Sequence, residues 1–227
     1  MISNNYVNSS PSALASPDLT IKMKGRQEYA TCWMAMKAFT RERNSETLDE
    51  IWLLEHLPVF TQGQNGRAEH VLNPGKIPVI QTDRGGQVTY HGPGQLMVYT
   101  LIDIKRKRWS IRDLVSGLEQ SVIEFLQTYQ LKAYAKRDAP GIYLQSDMKI
   151  CSVGLRIRQG CAYHGMAFNI SMDLTPFRRI NPCGFSQLTM TQLADHVSNF
   201  DLSIKTISHD FSAYLLKNLQ YNSPIFN

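Results

Sequence analysis

Between residues 110 and 129, Ile111, Leu114, Val115, Leu118, Val122, Phe125 and Leu126 recur three and four positions apart. This spacing predicts a helix with one apolar face and Ser110 as its N-cap. A stripe that long has to be covered, and the flanking sequence offers strands to cover it. Residues 77–81, 87–91 and 95–104 precede it, and residues 141–144, 149–158 and 165–172 follow. These runs are rich in β-formers and separated by Asp, Gly and Ser turns. A short apolar run at 51–55, stopped before Pro58, reads as a buried strand. Helical spacing returns at 27–43, through Ala30, Trp33, Met34, Met36, Ala38 and Phe39, and again at 204–219. Strands gathered between helices predict a mixed α/β or α+β fold with a sheet flanked by helices. No repeat or linker interrupts residues 20–220, which are expected to form a single domain behind a flexible leader, residues 1–19, rich in Ser, Asn and Pro.

Composition narrows the class. At 43% hydrophobic and 10% aromatic, a chain of 227 residues carries enough apolar material for a real core. The four cysteines, Cys32, Cys151, Cys161 and Cys183, have no C-x-x-C pair and no matched spacing. That argues against a disulfide framework or zinc knuckle and fits a reducing compartment. The first twenty residues lack the basic and apolar regions of a signal peptide, and no apolar run is long enough for a membrane span. A cytoplasmic protein is the expectation. The net charge of +5 suits an acidic protein partner as well as a nucleic acid and decides between neither.

Cys183 lies in Asn181-Pro182-Cys183-Gly184, where Pro and Gly make a tight turn that presents the sulfur to a cleft. Most free cysteines are small buried hydrophobes, and Cys32, Cys151 and Cys161, in or beside helix and strand patterns, are read that way. A nucleophilic thiol needs a base or cation beside it. His91 and His164, both flanked by glycine, qualify, though each also reads as a polar residue fixing a loop; Lys149 at the head of a strand is the other candidate, and by itself it reads first as an ordinary hairpin lysine. The segment from Asp83 to Gln95 is harder to dismiss. Its glycines let backbone approach a ligand, and Arg84 supplies a fixed cation, yet neither nucleotide-binding glycine motif occurs. A slot with little side-chain bulk also suits a thin acyl chain.

These strings together resemble the lipoyl(octanoyl) transferase family, which moves octanoyl from acyl carrier protein to a lysine of lipoyl domains. The similarity is carried by residues 84–95 (RGGQVTYHGPGQ), by Lys149 with Ser152-Val153-Gly154-Leu155-Arg156, by Gly165-Met166-Ala167-Phe168-Asn169 and by Ile180-Asn181-Pro182-Cys183-Gly184. Residues 48–55 and 58–64 look similar too, and the motif order holds from about residue 25 to 195. The resemblance implies a fold like the biotin and lipoate ligase catalytic domain. It implies a catalytic pair, Cys183 and Lys149. It places the acyl group along Arg84, Gly85, Gly86, Gln87, Val88, Thr89, Tyr90 and His91, along Ser152, Val153 and Gly154, and along Gly165, Met166 and Ala167.

The implied partners are acyl carrier protein as donor, with lipoyl domains of 2-oxoacid dehydrogenase complexes and the glycine-cleavage lipoyl carrier protein as acceptors. No metal or organic cofactor, nucleic acid or membrane is implied. Backbone N–H groups near Cys183 and in the glycine-rich loop are the expected oxyanion donors. Lys105-Arg106-Lys107-Arg108 reads as a docking patch for an acidic partner or as a solvated strand end. Two other readings stay open: an ATP-dependent lipoate or biotin ligase, which would not need Cys183, and a non-catalytic module binding acidic carrier domains.

Overall fold

The computed structural model describes residues 18–227. β1 (Leu19–Gln27) leads into α1 (Tyr29–Glu42), β2 (Asp49–His56), β3 (Val59–Gln62), β4 (Val79–Gln81), β5 (Thr89–His91) and β6 (Gln95–Asp103). Then come α2 (Ile111–Thr128), β7 (Tyr134–Ala135), β8 (Gly141–Tyr143), β9 (Lys149–Arg158), β10 (Cys161–Asn169), α3 (Ile204–Asn218) and β11 (Pro224–Phe226). Eight strands form one mixed sheet in the order β11-β1-β2-β6-β10-β9-β8-β7, parallel where β1 meets β11 and β2 and antiparallel elsewhere. A small sheet, β4-β3-β5, stands apart from it. The fold is the expected mixed sheet flanked by helices.

Strand alternation sorts the side chains. Ile51 and Leu53 of β2 and Leu96, Val98 and Ile102 of β6 face α2 and α3 in the larger core. Trp52, Leu54, Met97, Tyr99 and Leu101 face α1, where Cys32 and Met36 meet them. α2 is the amphipathic helix read from residues 110–129. Ser110 caps it in a reciprocal capping box with Asp113, an arrangement whose loss costs about 1 kcal/mol. Leu114, Leu118, Val122, Phe125 and Leu126 are buried, each worth about 1.5–3 kcal/mol of burial.

Several boundaries differ from the reading of the sequence. Of the leader expected over 1–19, residues 1–17 lie outside the described residues, and Leu19, fully buried, opens β1. β1 was not legible because Lys22, Lys24 and Arg26 dilute its apolar run; it is recruited by parallel pairing with β2. The sheet also runs past residue 220 into β11. The third strand read after α2 starts earlier, at Cys161, and ends at Asn169.

Two of the four cations in the basic cluster are engaged within the fold. Arg106 bonds the Asp49 carboxylate at 2.6 Å and the carbonyls of Ser45 and Thr47. Lys107 donates to the Leu219 and Gln220 carbonyls and sits over the Trp109 and Tyr221 rings. Those two cations tie the strand end to the residues after α3 and to the loop before β2, while Lys105 and Arg108 are exposed. Among the described residues no helix is long and apolar enough to cross a membrane.

Candidate active site

Lys149 and Cys183 are brought together by backbone pairing. The chain leaving Cys183 returns beside β9, where Lys149 N–H donates to Thr189 O (2.9 Å) and Thr191 N–H to Lys149 O (3.0 Å). A bulge aims the side chain: Tyr143 of β8 pairs with Lys149 and Ile142 with Cys151, leaving Ile150 as the extra residue. Simple alternation from Ser152 would have turned Lys149 toward the opposite face. As built, its Nζ donates to Pro140 O (2.9 Å) and to Cys183 Sγ (3.5 Å). Lys149 is only 2% exposed, and Gly141, lying against its Cε, leaves room for the head. Burial disfavours its charge, but the neighbouring Cys183 and Tyr143 outweigh burial and hold the ammonium above its ordinary pKa. None of the ion pairs among the described residues gives Lys149 a carboxylate partner.

Cys183 occupies a short 3₁₀ turn, Pro182–Gly184, with φ of 56°, a left-handed conformation that non-glycine residues reach at a cost. It is the one partly exposed cysteine among the four, the others being buried. Burial pushes the Cys32 thiol up to about 12 and raises those of Cys151 and Cys161 as well, making them poor thiolates. The turn's N–H groups are occupied: Cys183 donates to Val88 O, Gly184 to Asn181 O and Phe185 to Pro182 O. The expectation of oxyanion donors in this turn is therefore corrected.

Both side chains open into a slot of about 360 Å³ on the α1 face of the large sheet. Arg84, Gly85, Gly86, Gln87, Thr89 and His91 line one wall; Ser152, Val153, Gly154, Gly165, Met166 and Ala167 line the other. Val88 and Tyr90 do not. The pleat of β5 and its approach sends them the other way, into a cluster with Phe60, Phe177 and Ile180. Gly165 contributes through its backbone, because a Cβ there would collide with the Val98 carbonyl. Residues outside the expected acyl-binding set also line the slot: Tyr29, Asn65, Met97, Tyr99, Phe185, the candidate base His164 and the Asp138–Pro140 turn. Of these only His164 carried a signal, its glycine-flanked position; the rest arrive from distant elements and look like core or loop residues.

The two histidines are held, not free. His91 Nδ1 meets Gln95 Oε1 at 2.8 Å and its Nε2 meets Thr61 Oγ1 at 3.1 Å. Gln95 Nε2 is already donating to Asn169 and Tyr90, so the network assigns the His91 proton to Nδ1. His164, with φ of 62°, swings onto the face of Tyr163, and both bond Asp83, which also accepts from Trp33 Nε1. The buried His164 Nδ1 and the Tyr29 hydroxyl have no partner among the described residues. Burial lowers the pKa of both His91 and His164. Among the described residues no group of three or more His, Cys, Asp or Glu is placed to hold a metal ion.

A thiol paired with a buried ammonium at an apolar slot is equipment for handling an acyl group. The family model of the lipoyl protein ligase A/B catalytic domain matches residues 28–216, and the chain belongs to this family. Its curated relatives include an octanoyltransferase of Shewanella denitrificans, 60% identical over 77% of this chain and 76% of its own length. An octanoyltransferase of Actinobacillus succinogenes is 52% identical over 92% and 98%. In fold, the chain is similar to lipoate-protein ligase A bound with ATP, with a TM-score of 0.71 at 15% identity over 94% of this chain and 88% of that one. A biotin protein ligase from Aquifex aeolicus in complex with biotin and ATP gives 0.54 at 14% identity, over 88% and 70%.

Proposed function

We propose that this chain is an octanoyltransferase that moves an octanoyl group from octanoyl-acyl carrier protein to a specific lysine of lipoyl domains, through an acyl thioester on Cys183 with Lys149 as its proton partner. Kinship at 52–60% identity to octanoyltransferases supports the reaction class. The observation that supports the route is the 3.5 Å contact between Lys149 Nζ and Cys183 Sγ inside the slot.

The Cys183 thiolate attacks the carrier thioester; a new C–S bond forms, the old one breaks, and the departing thiolate takes a proton from Lys149. One thioester replaces another, so the step needs no ATP. Lys149 is now neutral, and burial keeps it so, because the thiolate that had favoured its charge has become an uncharged thioester. The acceptor lysine arrives as an ammonium and gives one proton to Lys149. Its nitrogen attacks the Cys183 thioester, the C–N bond forms, the C–S bond breaks, and the second proton passes to solvent. Thiolate and ammonium are restored together. Apolar slot walls such as Met97 and Ala167 accept the chain.

Intact-protein mass spectrometry tests this after mixing with octanoyl-acyl carrier protein, with and without ATP. One octanoyl adduct mapping to Cys183, formed without ATP and discharged by lipoyl domain, is the expected result. An adduct on Cys32, Cys151 or Cys161, or an absolute need for ATP, would reject it.

A further inference from the structure

Resting on the transfer reading above, we propose that the side-chain carboxamide of Gln87 donates the hydrogen bond that stabilises the oxyanion formed when Cys183 attacks the acyl thioester. The nucleophile's own turn leaves this task open. The N–H groups of Cys183, Gly184 and Phe185 are bonded to carbonyls at 3.0, 2.9 and 3.0 Å. Negative charge developing on a carbonyl oxygen beside Cys183 needs preorganised donors from another element.

Gln87 is placed to supply them. A Cβ built on Gly184, the residue after the nucleophile, would meet Gln87 Nε2 first, with its Cδ at 2.6 Å and its Oε1 at 2.8 Å. The carboxamide therefore lies directly on that glycine, in the slot that Cys183 enters. Its Oε1 is buried and has no hydrogen-bond partner among the described residues. A carboxamide carries two N–H donors, and a half-turn of its terminal plane exchanges oxygen and nitrogen. Unpaired in the resting slot, it is free to present N–H to a ligand.

The base of this side chain is clamped. Gln87 O accepts from Arg84 Nη2 (2.8 Å) and Gly85 O from Arg84 Nη1 (2.9 Å), while Gly86 O accepts from the Asn65 N–H (3.1 Å). Arg84 is buried and forms no ion pair among the described residues, so the clamp also brings positive charge to this end of the slot. During attack the carbonyl π pair moves onto oxygen, Gln87 donates to it, and the pair collapses back as the carrier thiolate leaves. Gln87 gains and loses no proton.

The test compares Gln87→Met, which keeps length and loses the donors, with Gln87→Lys, which restores a donor at similar reach. The first readout is single-turnover loading of Cys183 by octanoyl-acyl carrier protein. The second is alkylation of Cys183 by chloroacetamide, a displacement that passes through no oxyanion. Gln87→Met should load about 10²–10³-fold more slowly, the usual penalty for a lost oxyanion donor, with Gln87→Lys recovering at least tenfold and both variants alkylating at about the wild-type rate. Loading by Gln87→Met within a few-fold of wild type would overturn the proposal and assign the oxyanion to backbone N–H groups of the glycine-rich loop. Parallel losses in loading and alkylation would also overturn it, making Gln87 a support for the turn. Wild-type protein that alkylates but never loads would instead reject the transfer reading itself.

Discussion

A lysine 2% exposed beside a thiol is held above its ordinary pKa, because Cys183 and Tyr143 outweigh burial. Lys149→Arg separates its two duties, since arginine keeps a positive charge throughout the working range and cannot take up a proton. The variant should form some acyl-enzyme and then stall. Loading it with octanoyl and following loss of the adduct after lipoyl domain is added measures the second stage alone; a wild-type transfer rate there would end the proton-carrier role. Cys183→Ala should abolish turnover, whereas Cys151→Ser should retain most of it, because Cys151 is buried away from the slot in the larger core. A loss of turnover in Cys151→Ser without a loss of stability would contradict that division. At this scale the sequence was legible where chemistry demands a residue type: Cys183 in its Pro-Cys-Gly turn and the Arg84–His91 loop. Tyr29, Met97 and Tyr99 were not, because a side chain that lines a slot differs from a core side chain only in what lies opposite.

Among the elements, β10 illustrates how one strand divides its work. Gly165 is required by sheet closure, since any Cβ would strike the Val98 carbonyl of β6. Gly165→Ala should therefore cost stability, about 1–3 kcal/mol as overpacking does, visible as a lower urea midpoint, and it should leave chain-length preference alone. Ala167, two residues on, belongs to the α1-facing cluster and lines the slot. Ala167→Leu should shift competition among carrier-bound chains from octanoyl toward hexanoyl. An unchanged preference in the folded variant would show that Ala167 does not limit the chain.

Taken whole, the molecule carries three buried histidines beneath its slot: His56, His91 and His164. Burial drives the His56 pKa down to about 4, places that of His91 well below the ordinary value, and lowers that of His164 although Asp83 opposes it. Each folded value lies under the unfolded one near 6.5, so the unfolded chain binds the extra protons. The stability they contribute is complete above about pH 6.5 and is lost as pH falls through the folded values, at up to about 1.4 kcal/mol per pH unit for each histidine. Urea midpoints should fall between pH 7.5 and 5, and His56→Gln should flatten that slope by one histidine's share. A midpoint constant over this range would refute the linkage.

The sequence by itself determined the elements with strong local periodicity, α2 above all, and marked Cys183 as a candidate nucleophile, whereas Lys149 entered the pair only through the family resemblance. The helix and the cysteine are local facts: an apolar stripe must be buried, and a Pro-Cys-Gly turn exposes its sulfur. Tertiary structure alone decided where those residues point. Lys149 faces Cys183 because Ile150 is bulged out opposite β8, and the return strand at Thr189–Thr191 ties the two motifs together. Val88 and Tyr90 leave the slot, although they sit inside the motif, because adjacent residues of an extended chain cannot share a face. β1 exists because β2 offers it an unpaired edge, which no local pattern within residues 19–27 records. Register, bulges and pairing partners are set by contacts between segments far apart in the chain, and there a reading of neighbouring residues reaches its physical limit.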